Sequence, residues 1–448
     1  MTVLDVYLEA MAGPVGRLSS DADGAVSFAY VTDALPHPLS LALPVREEPY
    51  DDVAARGFFS NLLFENEMRD QVMQRHGIAE RDVVGLLYHL GADCPGAISC
   101  VPEGQGPAKQ PGVLDTDYEA LGGGLRVPDT LAQDILLPVD DALERIMVAL
   151  RDHRRVPRDL DDPSPLAGVQ GKIALTRLED GRLALPQPGS GAPTTHILKV
   201  PRTGQMHTVL REHLATGLMG RVQDHPVART CVVGQGALQG LLIERFDRRV
   251  ADGAVHRIHQ EDFCQALGLG ERLKYERHGL PGRAFTAAAM GALVDRTRLP
   301  GRTRQALFEI TVANMMLGNS DNHAKNHALL YTGAAPELAP AYDIDPVLLD
   351  DVTHEMAFCV GSARIADDVT EEDLGDLLRN LGGRGLTKQL LRRVAEIGAQ
   401  LLGAAADLPS PDAKPLYDVI GQQVHHLSEN LGLGLDVPEF DNVPVNRP

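Results

Sequence analysis

The chain reads Leu317-Gly-Asn-Ser-Asp-Asn-His-Ala-Lys-Asn326 directly after an apolar run, Phe308–Leu317, that has helical periodicity. Within this stretch, Asp321 and Asn326 lie five positions apart. Phosphoryl transfer uses a carboxylate to orient or accept the proton of the attacking hydroxyl, and an oxygen ligand for the metal ion on the phosphates. One loop with this spacing can supply both groups. A polar turn that caps two helices is the alternative, although the longer pattern Gly-Asn-x-Asp-x-His-x-Lys-Asn is far more specific.

A second acidic segment, Ala341-Tyr-Asp-Ile-Asp345, follows an irregular stretch that contains proline. Asp343 stands where a kinase carries its second metal-binding carboxylate. A helix cap or a solvated surface carboxylate is the alternative at this position. Asp345 is the weaker candidate, because it lies two residues further from the loop that carries Asp321 and Asn326.

Upstream of these loops, Lys199 is the only cation in the apolar strand Ile197-Leu-Lys-Val200. Burying an unpaired ammonium is costly, so we expect its side chain either to reach solvent or to meet an anion such as a phosphate. Glu212, on the helix that follows, is the candidate ion-pair partner of Lys199. Each of these observations is weak by itself.

A glycine-bearing segment, Gly168-Val-Gln-Gly-Lys172, opens a strand earlier in the chain. Its backbone amides and its lysine could cover phosphates, although an ordinary tight turn would have the same composition. The residues that would bind in this way are Gly168, Val169, Gln170 and Lys172.

The segment Glu244-Arg-Phe246 ends another apolar strand. The backbone at Glu244 and Phe246 could form hydrogen bonds with an adenine edge, and a plain strand end is the alternative. The order of the segments decides the interpretation: a glycine loop, a strand lysine, a helix glutamate, a strand-end hinge, an Asp-x4-Asn loop and a metal-binding aspartate. This order and spacing favour a two-lobed phosphotransferase.

Composition limits the class of protein. The 448 residues are 44% hydrophobic and 23% charged, which excludes a largely disordered chain. No apolar run is long enough for a membrane helix, and the N-terminus does not resemble a signal peptide. The net charge of −20 argues against a surface that binds nucleic acid throughout, but leaves room for a basic partner. Five scattered cysteines favour reduced thiols and a cytoplasmic location.

Local patterns predict strands at the start of the chain. Residues 1–45 alternate in polarity, and the turn Asp21-Ala-Asp-Gly24 predicts a hairpin. Leu39–Leu43 alternates again and predicts a further strand. From Gly57 to Asp70 the period changes to that of an amphipathic helix. A second hairpin is expected around Glu179-Asp-Gly181, and the segments beyond Gln260 are mostly helical.

Several segments of this sequence match one known family. They resemble the HipA family, the kinase toxins of bacterial toxin–antitoxin operons. The segments that carry the resemblance are Phe58-Phe-Ser-Asn-Leu-Leu63, Leu166-Ala-Gly-Val-Gln-Gly-Lys172, Pro193-Thr-Thr-His-Ile-Leu-Lys199, Glu244-Arg-Phe-Asp-Arg248, Lys274-Tyr-Glu276, Gly318-Asn-Ser-Asp-Asn-His-Ala-Lys-Asn326 and Tyr342-Asp-Ile344.

The resemblance implies an α+β, two-lobed, protein-kinase-like fold with a β-rich N-terminal subdomain and a mostly helical C-terminal lobe. The expected division of the chain is a HipA N-terminal subdomain over 1–110 and an irregular connector with one helix over 111–160. A kinase N-lobe over 161–248 and a helical C-lobe over 249–448 would follow.

The resemblance also implies an activity, which is phosphorylation of protein serine or threonine with ATP and Mg²⁺. Asp321 would be catalytic, Asn326 and Asp343 would bind the metal, and His323 and Tyr342 would join the ATP contacts. The expected substrate is a component of translation such as an aminoacyl-tRNA synthetase. A small helix-turn-helix antitoxin (HipB-like) would bind the chain and supply most of the affinity for operator DNA.

One position departs from the family pattern. The serine that family members autophosphorylate, three residues before Gly168, is replaced by Pro165, and the nearest serine is Ser164. Because proline fixes its own φ and biases Ser164 towards extended backbone, autophosphorylation at Ser164 is expected to be slow or absent. Two other functions stay open: a small-molecule or lipid phosphotransferase, and a catalytically silent corepressor scaffold.

Overall fold

A computed structural model of the chain describes residues 2–63, 67–108, 110–123, 125–129, 131, 136–157, 160, 171–408 and 413–448. Its strands, in chain order, are β1 Thr2–Leu8, β2 Gly16–Ser20, β3 Val26–Tyr30, β4 Ile98–Pro102, β5 Gly112–Val113, β6 Tyr118–Ala120, β7 Leu136–Leu137, β8 Gly171–Arg177, β9 Leu183–Pro186, β10 His196–Val200, β11 Thr230–Gln235, β12 Leu238–Glu244, β13 Arg248–Ala251, β14 Ala254–Arg257, β15 His259–Asp262, β16 Ala328–Tyr331 and β17 Glu337–Leu338. Its helices are α1 Asp52–Phe59, α2 Glu67–His76, α3 Val83–Leu90, α4 Asp141–His153, α5 His207–Val222, α6 Phe263–Ala266, α7 Ala287–Val294, α8 Pro300–Met316, α9 Glu371–Asn380, α10 Lys388–Ala406 and α11 Lys414–Leu431.

The chain divides into two compact units. Unit one comprises Met1–Val209, Arg229–Glu271 and Leu329–Ala334, and unit two comprises Leu210–Ala228, Arg272–Ala328 and Ala335–Pro448. Unit one contains most of the strands and unit two most of the long helices. The expected α+β class is therefore confirmed. In the part of the chain that the structure describes, no helix is long and apolar enough to cross a membrane.

The first sheet of unit one contains the predicted hairpin. Its strands lie in the order β3-β2-β1-β4, and all neighbours are antiparallel. The turn between β2 and β3 is stabilised by the carboxylate of Asp21, which accepts hydrogen bonds from the backbone N–H groups of Asp23 and Ala25, both at 2.9 Å. Gly24 closes the turn with a φ of +78°, a conformation that glycine adopts without strain. The aspartate–glycine signal predicted this element correctly.

The strand predicted over Leu39–Leu43 does not form. The only pairing in this segment is an isolated bridge between Ser40 and Leu43. The backbone N–H of Leu39 donates to the Tyr30 hydroxyl at 3.0 Å, and that of Leu41 donates to the Glu261 carboxylate at 3.0 Å. Because side chains accept hydrogen bonds from these two N–H groups, the groups do not pair with a neighbouring strand.

The helix predicted from Gly57 to Asp70 is two separate helices. The first, α1, begins earlier than expected, because the side chain of Asp51 caps it by accepting a hydrogen bond from the N–H of Ala54 at 3.1 Å. It ends at Phe59, and a 3₁₀ turn over Ser60–Leu62 follows. The amide of Asn61 donates to the carbonyl of Gly57 at 2.7 Å, so a side chain takes the acceptor at the helix end.

The main sheet of unit one positions the predicted strand lysine. Among the described residues, seven strands form this sheet in the order β6-β9-β8-β10-β12-β11-β7. The predicted hairpin around Glu179-Asp-Gly181 joins β8 and β9. Strand β10, which carries Lys199, is central and pairs antiparallel with both β8 and β12. A central strand is fixed on both edges, so it holds its side chains in a defined register.

A buried ion-pair network lies at the end of β12 in unit one. Arg245 and Arg248 both pair with Asp247, at 2.9 and 2.7 Å, and Arg248 also pairs with Asp93 at 2.9 Å. All four side chains are at most 4% exposed. Burial alone would raise the pKa of Asp247, but the two arginines outweigh it and hold this pKa well below its usual range. The network therefore ties the Asp93 segment, which precedes β4, to the turn after β12.

Unit two is built around α8, α10 and α11. Helix α8 is buried along most of its length. It contains most of the apolar run Phe308–Leu317, and the 317–326 segment follows directly after it. The last residues of the chain form no helix or strand but are bound to the same unit. The N–H of Val443 donates to Gln422 on α11 at 2.7 Å, and the N–H of Asn446 donates to His354 at 3.0 Å. These C-terminal residues thus lie along the helical unit.

Candidate functional site

The 317–326 segment leaves α8 through a turn that requires glycine. Gly318 has a φ of +73°, and a Cβ at this position would lie 2.3 Å from Cγ1 of Val419. Asn319 then fixes the loop, since its amide donates to Oδ1 of Asn314 at 2.9 Å and its oxygen accepts from the N–H of Asp321 at 3.1 Å. Sequence reasoning included Asn319 in the motif but gave it no role. The structure shows that it orients the backbone that presents Asp321.

Asp321 and Asn326 meet within this loop, as their spacing predicted. The side-chain amide of Asn326 donates to the backbone carbonyl of Asp321 at 2.9 Å. The same carbonyl accepts from the N–H of His323 at 2.8 Å. Because the amide nitrogen of Asn326 is used in this way, its side-chain oxygen is the atom that could bind a metal ion.

Asp343 lies in the loop that faces this segment in unit two. Its φ is +59°, the left-handed region that non-glycine residues rarely adopt. Its carbonyl is 3.4 Å from the amide nitrogen of Asn319, and the hydroxyl of the preceding Tyr342 donates to the carbonyl of Lys325 at 2.6 Å. The predicted catalytic and metal-binding loops are therefore joined, and a non-glycine residue with such a strained backbone conformation is typical of functional sites.

The electrostatic environment of Asp321 was not predictable from the motif. Burial raises the pKa of its carboxyl group, and the nearby Asp343 raises it further. A hydrogen bond from the Tyr275 hydroxyl to Oδ1, at 2.7 Å, and the charge of Lys274 act in the opposite direction. The pKa of Asp321 stays above its usual value, which suits a group that accepts a proton.

Asp345 has a different environment from Asp343. It forms an ion pair with Arg211 at 2.9 Å, and Arg211 also pairs with Asp350 at 2.7 Å. Burial raises the pKa of Asp345, Arg211 lowers it, and Glu212 and Asp350 raise it again. Its carboxylate is thus engaged by a guanidinium, which makes Asp345 the weaker candidate for metal binding, as expected from its position in the sequence. Arg211 was missed by sequence reasoning, although it stands next to Glu212.

In unit one, two lysines oppose each other across neighbouring strands. Lys199 on β10 is directly opposite Lys172 on β8, so both side chains project from the same face of the sheet. Each residue is only 9% exposed. Like charges in this arrangement repel each other, and an anion close to both would offset the repulsion.

The hinge residues lie at the end of the same sheet. Glu244 is opposite His196, and the alternation of β10 puts both on the face opposite to Lys199. Burial raises the pKa of Glu244, and its carboxylate pairs with Arg229 at 2.9 Å. Its side chain is thus occupied, and its backbone N–H donates to the carbonyl of Arg229 at 2.9 Å, so only its own carbonyl suits the predicted adenine contact. Phe246 is half-buried in the turn that follows.

Some predicted residues cannot be placed together. Gly168, Val169, Gln170 and Ser164 lie outside the described residues. Glu212 is buried on α5 in unit two, whereas Lys199 belongs to unit one, and their ion pair stays a prediction.

The donor set fits a magnesium ion better than a transition metal. Among the described residues, no three histidine, cysteine or acidic side chains are grouped so that they could hold a metal. The candidate ligands are the amide oxygen of Asn326 and the carboxylate of Asp343. Mg²⁺ prefers such oxygen ligands and is held by one or two protein groups together with substrate phosphates.

Two family models match the chain. The HipA N-terminal domain matches residues 4–101, and the HipA-like C-terminal domain matches residues 164–405, more than half of the chain. The chain belongs to the HipA family. The second match runs through Lys199 in unit one and through Asp321 and Asp343 in unit two, so it includes both sets of predicted site residues.

Individual relatives agree with this assignment to the HipA family. Protein Y4mE of Sinorhizobium fredii is 31% identical in an alignment of 444 positions that covers 96% of this chain and 96% of that protein. The serine/threonine-protein kinase toxin HipA of Shewanella oneidensis is 28% identical over 85% of this chain and 84% of that protein. The chain is thus a member of a serine/threonine kinase toxin family.

A solved structure supports the fold. HipA in the complex of Shewanella oneidensis HipA, HipB and operator DNA superposes with a TM-score of 0.73 at 24% identity, over 95% of this chain and 97% of that one. This likeness confirms the expected kinase-like, two-lobed α+β fold.

Proposed function

We propose that this protein transfers the γ-phosphoryl group of ATP to a serine or threonine hydroxyl of a protein. The observation that carries the proposal is the assembly of Asp321, Asn326 and Asp343 in one unit of a HipA-family chain. A scaffold without catalysis has no need of this arrangement or of the strained backbone at Asp343. Phosphate transfer from ATP to peptides, measured with the purified protein, tests the proposal.

In the proposed reaction, the substrate hydroxyl oxygen forms a bond to the γ-phosphorus while the bond to the bridging oxygen of ADP breaks. Asp321 orients the hydroxyl and accepts its proton, and its raised pKa supports this role. Asn326 and Asp343 would hold Mg²⁺, which neutralises charge on the phosphates when it is bound. The other residues of the loop, Asn319 above all, keep the carboxylate in place.

The proposed phosphate contacts are on unit one. Lys172 and Lys199, which lie opposite each other on β8 and β10, would both bind the phosphates of ATP. The two lysines and the residues of the catalytic loop all lie within the single family match over residues 164–405, which supports one ATP-dependent activity for the chain. The adenine contact at Glu244 and Phe246, and the contacts of His323 and Tyr342, are part of the same proposal.

Replacing Lys199 by alanine should weaken ATP binding by at least about tenfold, because a charge-assisted hydrogen bond contributes about 1.5–3 kcal/mol. Isothermal titration calorimetry with ATP and Mg²⁺ measures the change. Lys388→Ala, which removes an exposed lysine at the start of α10, is the matched control and should bind ATP as the wild type does. Unchanged affinity in Lys199→Ala would remove this residue from the phosphate site.

The replacement of the usual acceptor serine by Pro165 predicts how far the protein phosphorylates itself. We expect little or no phosphate on Ser164 after incubation with ATP and Mg²⁺, because Pro165 occupies the position of the usual acceptor. Intact mass spectrometry followed by peptide mapping measures it. One phosphate per molecule, mapped to Ser164, would contradict the expectation.

We also propose a basic helix-turn-helix antitoxin as partner and a component of translation as substrate. The first is supported by the Shewanella oneidensis complex, which contains HipA, HipB and operator DNA, and by the net charge of −20. The antitoxin would supply most of the affinity for operator DNA. Co-purification with the product of the neighbouring open reading frame tests the pairing, and a partner without a helix-turn-helix sequence would contradict it. Phosphoproteomics after induction identifies the substrate.

A further inference from the structure

We propose that Tyr275 is the positioning residue of the catalytic carboxylate. Its hydroxyl donates a hydrogen bond of 2.7 Å to Oδ1 of Asp321, the residue that we expect to accept the substrate proton. This inference rests on the proposed function, and it assigns a role to a residue outside the catalytic loop. The last side-chain torsion angle of aspartate, χ2, has a broad distribution. A carboxylate without a hydrogen-bond partner of this kind therefore samples many orientations.

The backbone on either side of Tyr275 is anchored within unit two. The carbonyl of Lys274 accepts a hydrogen bond of 3.1 Å from the N–H of Ala324, which belongs to the catalytic loop. The N–H of Glu276 donates to the carbonyl of Ala357 at 2.8 Å. The segment is therefore attached both to the loop that carries Asp321 and to a second loop beyond it.

The ring of Tyr275 is also fixed. The guanidinium of Arg277 lies 4.0 Å from the ring centroid, a distance typical of a cation–π contact. On another side the ring meets His323 edge to face, with 5.2 Å between centroids. Because His323 lies in the same loop as Asp321, the ring and the carboxylate are held by one set of contacts.

The consequence for catalysis is a defined orientation of Asp321. With Oδ1 bound to the Tyr275 hydroxyl, Oδ2 is the oxygen that can accept the substrate hydroxyl. A carboxylate that is already oriented reaches the reactive geometry more often, and displacements of about 1 Å can cost about 100-fold in rate. Loss of the hydroxyl should thus lower kcat and leave the binding of both substrates nearly unchanged.

The test is a double-mutant cycle between Tyr275→Phe and Asp321→Asn, with ATP, Mg²⁺ and a pool of serine-centred peptides as the probe. Tyr275→Phe should lower kcat by about tenfold, with KM for ATP and for the peptides within about twofold of wild type. In the Asp321→Asn background the same change should have less than about a twofold effect, since the group through which Tyr275 acts is gone. Tyr417→Phe, which removes a hydroxyl from α11 in the same unit, is the control and should leave kcat unchanged.

Other results would overturn the positioning role of Tyr275, and one of them would also overturn the proposed function. A normal kcat in Tyr275→Phe, or an equal loss in both backgrounds, overturns the positioning role while the proposed function stands. Phosphate mapped to Tyr275 by mass spectrometry would make it an acceptor and also overturn the role. A wild-type protein that transfers no phosphate to any peptide overturns the proposed function and this inference together.

Discussion

Replacing Asp321 by asparagine is expected to lower the rate of phosphoryl transfer by about 100- to 10,000-fold, because the variant keeps the shape of the side chain but cannot accept the substrate proton. ATP should still bind with nearly wild-type affinity, since the proposed phosphate contacts lie elsewhere in the chain. Single-turnover transfer from labelled ATP to serine-centred peptides measures the rate, and calorimetry measures the affinity.

The matched control for this prediction is Asp295→Asn. The side chain of Asp295 is 66% exposed and forms only a long ion pair with Arg304 at 3.4 Å in the described structure. Surface pairs of this kind contribute little, so the control should keep its rate and its stability. Transfer by Asp321→Asn within about tenfold of wild type would show that another group accepts the proton.

Replacing Asp247 by alanine is expected to lower the free energy of unfolding by about 3–5 kcal/mol, because it removes one of the carboxylates that compensate the buried charges of Arg245 and Arg248. Urea unfolding of the variant and the wild type measures the difference. Asp180→Ala is the control, since it breaks an exposed pair with Arg182 and should change stability by less than about 1 kcal/mol. A loss in Asp247→Ala no larger than that of the control would contradict the importance of the network.

The same carboxylate predicts a dependence on pH. The folded-state pKa of Asp247 is lower than its unfolded value, so the group stabilises the fold above the unfolded pKa of about 3.9 and loses this contribution as the pH falls below it. The difference between wild type and Asp247→Ala should therefore be largest near neutral pH and shrink in acid. A difference that stays constant from neutral pH to about pH 2 would show that packing, and not charge, explains it.

Local signals in the sequence predicted elements whose cause is also local. The aspartate–glycine turn at residues 21–24 gave the hairpin, and the apolar environment of Lys199 gave its strand. The loop with Asp321 and Asn326 was found because both residues lie in one short segment. The turn at residues 21–24 and the loop with Asp321 and Asn326 are fixed by residues that are close in sequence, whereas the strand of Lys199 also depends on its pairing with the more distant β8 and β12.

Features that depend on distant residues escaped prediction. Tyr275 reaches Asp321 across 46 positions of the chain, and Arg248 reaches Asp93 across 155. The hydrophobic periodicity of a sequence gives no information on contacts between residues so far apart. The prediction of a strand over Leu39–Leu43 was wrong for the same reason. Two N–H groups of this segment donate to the side chains of Tyr30 and Glu261 instead of to a neighbouring strand.

The left-handed backbone of Asp343 bears on how this sequence would change if selection for catalysis were lifted. A side chain in that conformation costs about 1–2 kcal/mol relative to glycine, so glycine would make the turn more stable while it removes the carboxylate. Mutational drift in an inactive descendant should therefore favour glycine here before it erodes the surrounding loop. In related chains, glycine at this position beside an intact Gly-Asn-x-Asp segment would mark a kinase that has become a pseudokinase.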